Sequence, residues 1–317
     1  MAAAEGRRAE RPKVLVIVGP TGVGKTALAV ELGPQFRGEV VSADSRQIYR
    51  HMDIGTAKPT PQERARVPHH LLDLVDPDQE LTLAHYQRLA METMKEIWAR
   101  GKLPMLVGGT GLYVRAVLEG WTVPQVPPNE PLRAQLFRRA EQEGAESLHR
   151  ELAQVDPAAA ERIDARNVRR VIRALEVYHE TGRPISELQD KRPPSYRTLQ
   201  IGLTMPRPQL YRRIDARIER MIEQGLVQEV RDLLARGYSP DLPSMSALGY
   251  AEIVRYLQNE ISLEQAVALI KRHTRRFIRH QYNWFRLSDP SICWLDVTMP
   301  CFRQDAEELV RAFVRQD

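Results

Sequence analysis

Short apolar runs separated by polar stretches dominate the first third of the chain. Residues 14–18 and 103–107 form such runs, and 39–43 is a stretch of the same length that also contains Glu39 and Ser42. Runs of about five residues bounded by glycine or polar turns are typical of buried strands in a parallel sheet. Apolar residues at helical spacing follow within 25–32 and 83–100. This alternation predicts an α/β fold, with a parallel sheet covered by helices on both faces.

The pattern changes after Trp121, where prolines stand at positions 124, 127, 128 and 131. From there to position 189 the apolar spacing is helical, and Pro193-Pro194 ends this region. Residues 198–205 then predict a strand that returns to the sheet, and a long amphipathic helix is predicted at 262–287. We therefore expect three parts, which are a disordered tail at 1–12, a core formed by 13–121 and 195–317, and an all-helical insertion domain at 122–194.

Composition narrows the class of protein only modestly. Lys and Arg number 46 against 41 Asp and Glu, and this net charge of +5 favours phosphate binding without requiring it. The two cysteines, Cys293 and Cys301, are too few for a disulfide framework or a four-ligand zinc site, which favours a reducing cytoplasm. The run at 14–18 is far shorter than the roughly twenty residues that span a bilayer, and residues 1–13 do not resemble a signal peptide.

A phosphate-binding loop is the first chemical motif of the chain. It follows a predicted strand, precedes a predicted helix and fits G-x-x-x-x-G-K-[ST]. Its residues are Gly19, Pro20, Thr21, Gly22, Val23, Gly24, Lys25 and Thr26. Glycines let backbone amides surround an oxyanion, Lys25 adds a charge, and the Thr26 hydroxyl is a ligand for Mg²⁺. The motif predicts a P-loop NTPase-like sheet, and it serves an NTPase, a small-molecule kinase or an enzyme that releases pyrophosphate.

Asp44 directly follows the predicted strand at 39–43. Parallel strands share one carboxyl edge, so we expect Asp44 near the phosphate loop. A carboxylate there has three uses, which are to bind Mg²⁺ through water, to accept a proton from a nucleophile, or to cap the turn before Ser45. The motif alone does not choose among them.

Eight further blocks of sequence resemble the bacterial tRNA dimethylallyltransferases. In chain order they are Val41–Tyr49, Met52–Pro59, Val67–Leu71, Val107–Tyr113, Arg170–Val177, Gly225–Val230, Ala247–Tyr250 and Thr274–Phe285. They extend over nearly the whole chain, so the resemblance is far more specific than the phosphate loop alone. It differs at Asp215, where the family commonly has Asn, and at Ser246–Gly249, which is less basic than usual.

The resemblance implies a reaction and roles for particular residues. A dimethylallyl group moves from dimethylallyl pyrophosphate to the exocyclic amine of the adenosine 3′ of the tRNA anticodon, and pyrophosphate leaves. The phosphate loop then holds the pyrophosphate with Mg²⁺, whose protein ligand is Thr26, and Thr110 helps to fix it. Asp44 accepts the amine proton, and Arg217 is preferred to Arg213 as a further clamp on the leaving group.

A second implied set of residues contacts the tRNA anticodon stem-loop. It comprises Asp44, Ser45, Arg46, Gln47, Thr110, Arg133, Arg169, Arg170, Val171, Ile172, Arg173, Arg275, Arg276 and Arg279. Arginines at helical spacing in 169–173 and 272–279 would bind RNA phosphates, although a solvated helix face has the same pattern.

We expect a monomeric, cytoplasmic enzyme without a membrane segment. The alternatives are a P-loop kinase that consumes ATP without RNA and a non-catalytic RNA-binding protein.

Overall fold

A computed structural model describes residues 11–192 and 194–316 of the chain. Most of the tail predicted at 1–12 therefore lies outside the described residues. The described part divides into two compact units. One unit is Leu118–Pro193, compared with 122–194 in the sequence prediction, and the other is formed by the described residues on either side of it.

A six-stranded, all-parallel sheet forms the centre of the larger unit, as the alternating pattern predicted. Its strands are β1 (Lys13–Val18), β2 (Gly38–Ala43), β3 (His69–His70), β4 (Leu103–Gly108), β5 (Arg197–Thr204) and β6 (Ile292–Asp296). They are arranged in the order β3-β2-β4-β1-β5-β6. The sequence predicted four of these strands and missed β3 and β6. Both lie at edges of the sheet; β3 has only two residues, and β6 begins with an apolar run, 292–295, in a part of the chain whose pattern was interpreted as helical.

Helices surround this sheet and make up the smaller unit. In the larger unit they are α1 (Lys25–Phe36), α2 (Pro61–Arg66), α3 (Leu83–Ala99), α4 (Gly111–Leu118), α10 (Arg207–Glu223), α11 (Leu226–Ala235), α12 (Tyr250–Leu257), α13 (Leu263–Trp284) and α14 (Phe302–Arg315). In the smaller unit they are α5 (Glu130–Glu143), α6 (Ala145–Val155), α7 (Pro157–Arg162), α8 (Val168–Thr181) and α9 (Ile185–Leu188). No helix among the residues described is long and apolar enough to cross a membrane.

Burial explains why the central strands are mostly apolar. Every residue of β1 from Val14 to Val18 is fully buried, because helices cover both faces of the sheet. The helical unit has its own core, which includes Leu148, Leu152 and Leu175. It also buries Glu176, whose carboxylate accepts hydrogen bonds from the backbone N–H of Asn129 and from two arginines.

The register of the sheet brings three loops together at its carboxyl edge. Ala43 of β2 pairs with Gly108 of β4, and Val107 of β4 pairs with Ile17 of β1. The segments that leave β1, β2 and β4 are therefore neighbours. Gly108 permits this approach, since a Cβ at that position would lie less than 3.0 Å from the carbonyl oxygen of Ala43.

Candidate active site

The phosphate loop leaves β1 and leads directly into α1, which begins at Lys25. Gly19, Gly22 and Gly24 all adopt positive φ, which side chains rarely tolerate. The Lys25 ammonium donates to the carbonyl oxygens of Gly19 and Pro20 at 3.0 and 2.9 Å. Desolvation is the main reason that the pKa of Lys25 is lowered to about 8; the negative charge of Asp44 opposes this shift, and the positive charge of Arg217 adds to it. This buried cation is therefore costly by itself, and a bound anion would stabilise it.

Arg213 and Arg217 reach this loop from α10. A guanidinium nitrogen of Arg213 lies 3.5 Å from the carbonyl oxygen of Val23. Arg217 has no hydrogen-bond partner among the described residues, and its burial lowers its pKa while Asp44 raises it. A desolvated guanidinium without a partner is suited to a multiply charged anion, and the role of Arg217 as the clamp stays a prediction.

Asp44 leaves β2 in a turn that is attached to the Gly109–Gly111 loop. Its Oδ1 accepts a hydrogen bond from the Arg46 backbone N–H at 2.9 Å, so one oxygen does cap the turn. The Thr110 hydroxyl oxygen accepts a hydrogen bond from the Ser45 N–H at 3.0 Å. The Thr110 N–H in turn donates to the Ala43 carbonyl oxygen at 3.1 Å. Both residues beside Asp44 are thus bound to Thr110.

Two adjoining cavities meet at these loops. The larger, about 1380 Å³, contains much of the phosphate loop together with Asp44 and Arg217. The smaller, about 380 Å³, is lined by polar residues of the Asp44 turn and by apolar side chains of three helices. These apolar residues are Ile214, Ile218, Met221, Leu226 and Ile270. Because Thr21, Lys25, Asp44 and Arg217 line both cavities, the phosphate loop and the carboxylate face a common space.

The other residues predicted at the acceptor side are held by neighbouring loops. The Arg46 guanidinium donates to the carbonyl oxygen of Pro243 at 2.8 Å. The Gln47 amide nitrogen donates to the carbonyl oxygens of Thr56 and Ala57, and its oxygen lies 3.3 Å from the Ser42 hydroxyl, which donates to it. Both side chains are therefore positioned by the fold before any ligand binds.

The predicted RNA-binding arginines of α13 differ in their surroundings. Arg276 and Arg279 are exposed. Arg275 instead forms an ion pair with Asp215 at 2.5 Å, and its guanidinium stacks 5.4 Å from the ring centre of Tyr211. The family's common Asn at position 215 has no charge for such a pair, so this departure ties Arg275 to α10.

In the helical unit, the predicted residues fall into three groups. Arg169 and Arg170 are exposed on α8. Arg133 and Arg173 both bind the buried carboxylate of Glu176, at 2.8 and 2.5 Å, and so complete the unit's interior. The side chains of Val171 and Ile172 are 0% and 2% exposed and belong to the apolar core, because α8 turns this face inward. The prediction that these two contact RNA therefore fails for their side chains.

Two residues of the site carried no chemical role in the sequence analysis. Glu229, on α11, accepts hydrogen bonds from the backbone N–H groups of 53–55. Gln281, on α13, bonds to Thr21 and Gly109. Both residues lie within the blocks that resemble the family, Gly225–Val230 and Thr274–Phe285, and that resemblance was the only signal available, because their partners are distant in sequence.

Fold and site together define a P-loop protein with a second cavity beside the phosphate loop. The family model described as IPP transferase matches residues 47–288, and one described as isopentenyl transferase matches residues 12–73. The chain belongs to this family of tRNA-modifying prenyltransferases, and it is an enzyme.

Individual relatives agree with this assignment. The chain is 54% identical to a tRNA dimethylallyltransferase of Thermomicrobium roseum, with 97% of this chain and 93% of the relative covered. It is 56% identical to one of Roseiflexus castenholzii, with 94% and 97% covered. A crystal structure of the full-length tRNA isopentenylpyrophosphate transferase of Bacillus halodurans superposes with a TM-score of 0.71 at 41% identity, covering 95% and 96%. The crystal structure of a eukaryotic dimethylallyltransferase acting on tRNA superposes with a TM-score of 0.74 at 28% identity, covering 95% of this chain and 78% of that chain.

Proposed function

We propose that this enzyme transfers a dimethylallyl group from dimethylallyl pyrophosphate to the exocyclic amine of the adenosine 3′ of the anticodon in tRNA. The observation that carries the proposal is the common space lined by Lys25, Asp44 and Arg217. Cations on one side suit the pyrophosphate, the apolar wall suits the short prenyl chain, and the carboxylate faces the acceptor.

In the proposed reaction, the amine nitrogen forms a bond to the first carbon of the prenyl chain as the carbon–oxygen bond breaks. The electron pair of that bond leaves with the pyrophosphate, and Lys25 and Arg217 stabilise the growing negative charge. The free oxygen of Asp44 accepts the proton that the amine loses. The adenine must leave its stack to enter the smaller cavity, as enzymes that modify bases require.

A magnesium ion fits the residues present. Thr26 is the first helical threonine after Lys25 and lines the larger cavity with Asp44. No cluster of three acidic, His or Cys side chains that could hold a metal occurs within the described ranges. Mg²⁺ commonly binds through few protein ligands, several waters and phosphate oxygens, so Thr26 directly and Asp44 through water suffice. When bound, the ion would neutralise charge on the pyrophosphate.

On the RNA side, we propose that the anticodon stem-loop is bound by exposed arginines. Arg169 and Arg170 of the helical unit, and Arg276 and Arg279 of α13, are the candidates. They are accessible and suit phosphate contacts. We further propose that the enzyme acts as a cytoplasmic monomer and that the helical unit is its tRNA-binding insertion.

The test combines purified enzyme, Mg²⁺, dimethylallyl pyrophosphate and unmodified tRNA, with mass spectrometry of the anticodon loop. We expect a dimethylallyl mass gain on the adenosine 3′ of the anticodon and no ATP consumption. Asp44→Asn should lower the transfer rate by about 10² to 10⁴-fold. Asp78→Asn, at an exposed position, is the matched control and should retain the rate. Absence of the mass gain in wild-type reactions would refute the proposal.

A further inference from the structure

Gln281 occupies a position between the donor and acceptor loops. It lies on α13 and is only 4% exposed. Its Oε1 accepts a hydrogen bond from the backbone N–H of Thr21 in the phosphate loop at 2.8 Å. Its Nε2 donates to the carbonyl oxygen of Gly109 at 3.0 Å. One buried amide therefore satisfies a polar group of each loop.

This amide is the hydrogen-bonded link between the two loops. No hydrogen bond joins the phosphate loop directly to Gly109 or Thr110 within the part of the chain that the structure describes. From Gly109 the connection continues to Thr110, which is bound to Ala43 and Ser45 on either side of Asp44. An unbroken path thus leads from the phosphate loop through Gln281 to the Asp44 turn.

The bridge needs glutamine in particular. The Thr21 side requires an acceptor and the Gly109 side a donor, and a primary amide supplies both at once. A glutamate of the same shape retains the acceptor only. Gly109 also has a steric role, because a Cβ there would lie less than 3.0 Å from the Gln281 Nε2. The loop can approach the amide this closely only because position 109 is glycine.

The bridge also affects which amides remain for the ligand. With the Thr21 N–H donating to Gln281 and the Val23 N–H donating to the Pro20 carbonyl oxygen, the amides at 22 and 24–26 are left to surround the pyrophosphate. The phosphate-binding amides and the bridging amide are therefore different groups. It follows that removing the bridge need not weaken pyrophosphate binding.

We propose that Gln281 is a positioning residue that sets the phosphate loop in register with Asp44, so that donor carbon and acceptor amine meet in reactive geometry. This rests on the proposed function. Errors of about 1 Å in such alignment cost on the order of 100-fold in rate, whereas binding of each substrate alone depends on other groups. The bridge should therefore contribute mainly to kcat and little to pyrophosphate affinity.

The experiment compares Gln281→Glu and Gln281→Met with Asn283→Asp, an exposed amide on the same helix. Single-turnover transfer is measured with saturating donor and tRNA, and the Kd of inorganic pyrophosphate is measured by calorimetry. We expect the two Gln281 variants to lose about 10- to 100-fold in rate, with Kd changed less than about threefold. Asn283→Asp should match wild type. Gly109→Ala places a Cβ against the Gln281 amide and should reproduce the rate loss.

Two results of the rate and affinity measurements would overturn the inference. One is a wild-type rate in both Gln281 variants and in Gly109→Ala, and the other is a parallel loss of pyrophosphate affinity, which would mean that Gln281 only maintains the phosphate loop. Hydrogen exchange provides a readout independent of activity. Peptides covering 19–26 and 108–111 should both exchange faster in Gln281→Met, and unchanged protection would refute the bridge. If wild-type enzyme transferred nothing, the proposed function would fail while this exchange result still decided the bridge.

Discussion

Glu229 is the residue whose loss we expect to disturb the acceptor side most without touching a substrate. Its carboxylate accepts hydrogen bonds from the backbone N–H groups of Asp53, Ile54 and Gly55 at 2.7–3.1 Å. It also accepts one from the Tyr250 hydroxyl at 2.6 Å. The held loop supplies the carbonyl oxygens that bind the Gln47 amide. Glu229→Ala therefore removes four hydrogen bonds and loosens the loop, which lines both cavities.

The cost follows from where each donor is left. Tyr250 is fully buried, so its hydroxyl would lose its partner without gaining water, at about 1–3 kcal/mol. Asp53 is exposed, and Ile54 and Gly55 are half-buried, so water partly replaces the carboxylate at the three amides. We expect a total loss of about 2–4 kcal/mol in the free energy of unfolding. With a urea m-value of about 3 kcal/mol/M, the midpoint falls by about 1 M.

The assay is urea unfolding of Glu229→Ala beside Glu223→Ala, an exposed glutamate whose removal should leave the midpoint unchanged. A double-mutant cycle adds Tyr250→Phe, in whose background Glu229→Ala should cost less, because the buried hydroxyl is gone. Hydrogen exchange at 53–55 should accelerate only when Glu229 is replaced. A midpoint within about 0.3 M of wild type, or additive effects in the cycle, would refute this reasoning.

Three further predictions concern pH and packing. The pKa of Lys25 is lowered to about 8, and bound pyrophosphate favours its ammonium form. Between pH 7 and 9, the affinity of the wild type for pyrophosphate, measured by calorimetry, should therefore fall about tenfold more than that of Lys25→Arg. Equal pH profiles of the two proteins would contradict this. Burial raises the pKa of Glu39, but hydrogen bonds from Lys102, His70 and Arg100 outweigh this effect and lower it to about 2. The stability that this carboxylate contributes is therefore fully present above about pH 4.5 and is lost as the pH falls towards 2. Over that window, the urea midpoint of Glu39→Gln should decline less than that of the wild type. Gly111→Ala places a Cβ less than 3.0 Å from the Trp284 ring and should cost about 1–3 kcal/mol in urea unfolding. Gly101→Ala meets no atom within 4 Å and should cost only the strain of an alanine at positive φ.

The parallel sheet could be predicted from sequence wherever burial is complete. Residues 14–18 and 103–107 are continuous apolar runs because both faces of these strands are covered, and 39–43 is equally buried although it contains Glu39 and Ser42. The edge strands escaped prediction for separate reasons, because His69–His70 has only two residues and the apolar run at 292–295 lies in a part of the chain interpreted as helical. The arginines show the reverse problem. Periodicity marked Arg173 and Arg275 as surface cations, and each is instead bound to an acidic residue that only packing brings close.

Local sequence by itself determined the phosphate loop, the carboxylate after the second strand and the family. Glycine spacing, strand ends and ordered motif blocks can all be identified from consecutive residues. Tertiary structure alone decided which groups hold those motifs in register. Gln281 reaches Thr21 across 260 positions, and Glu229 reaches Asp53 across 176. No periodicity or spacing records such pairs, since hydrogen bonds between distant segments depend on how the helices pack around the sheet.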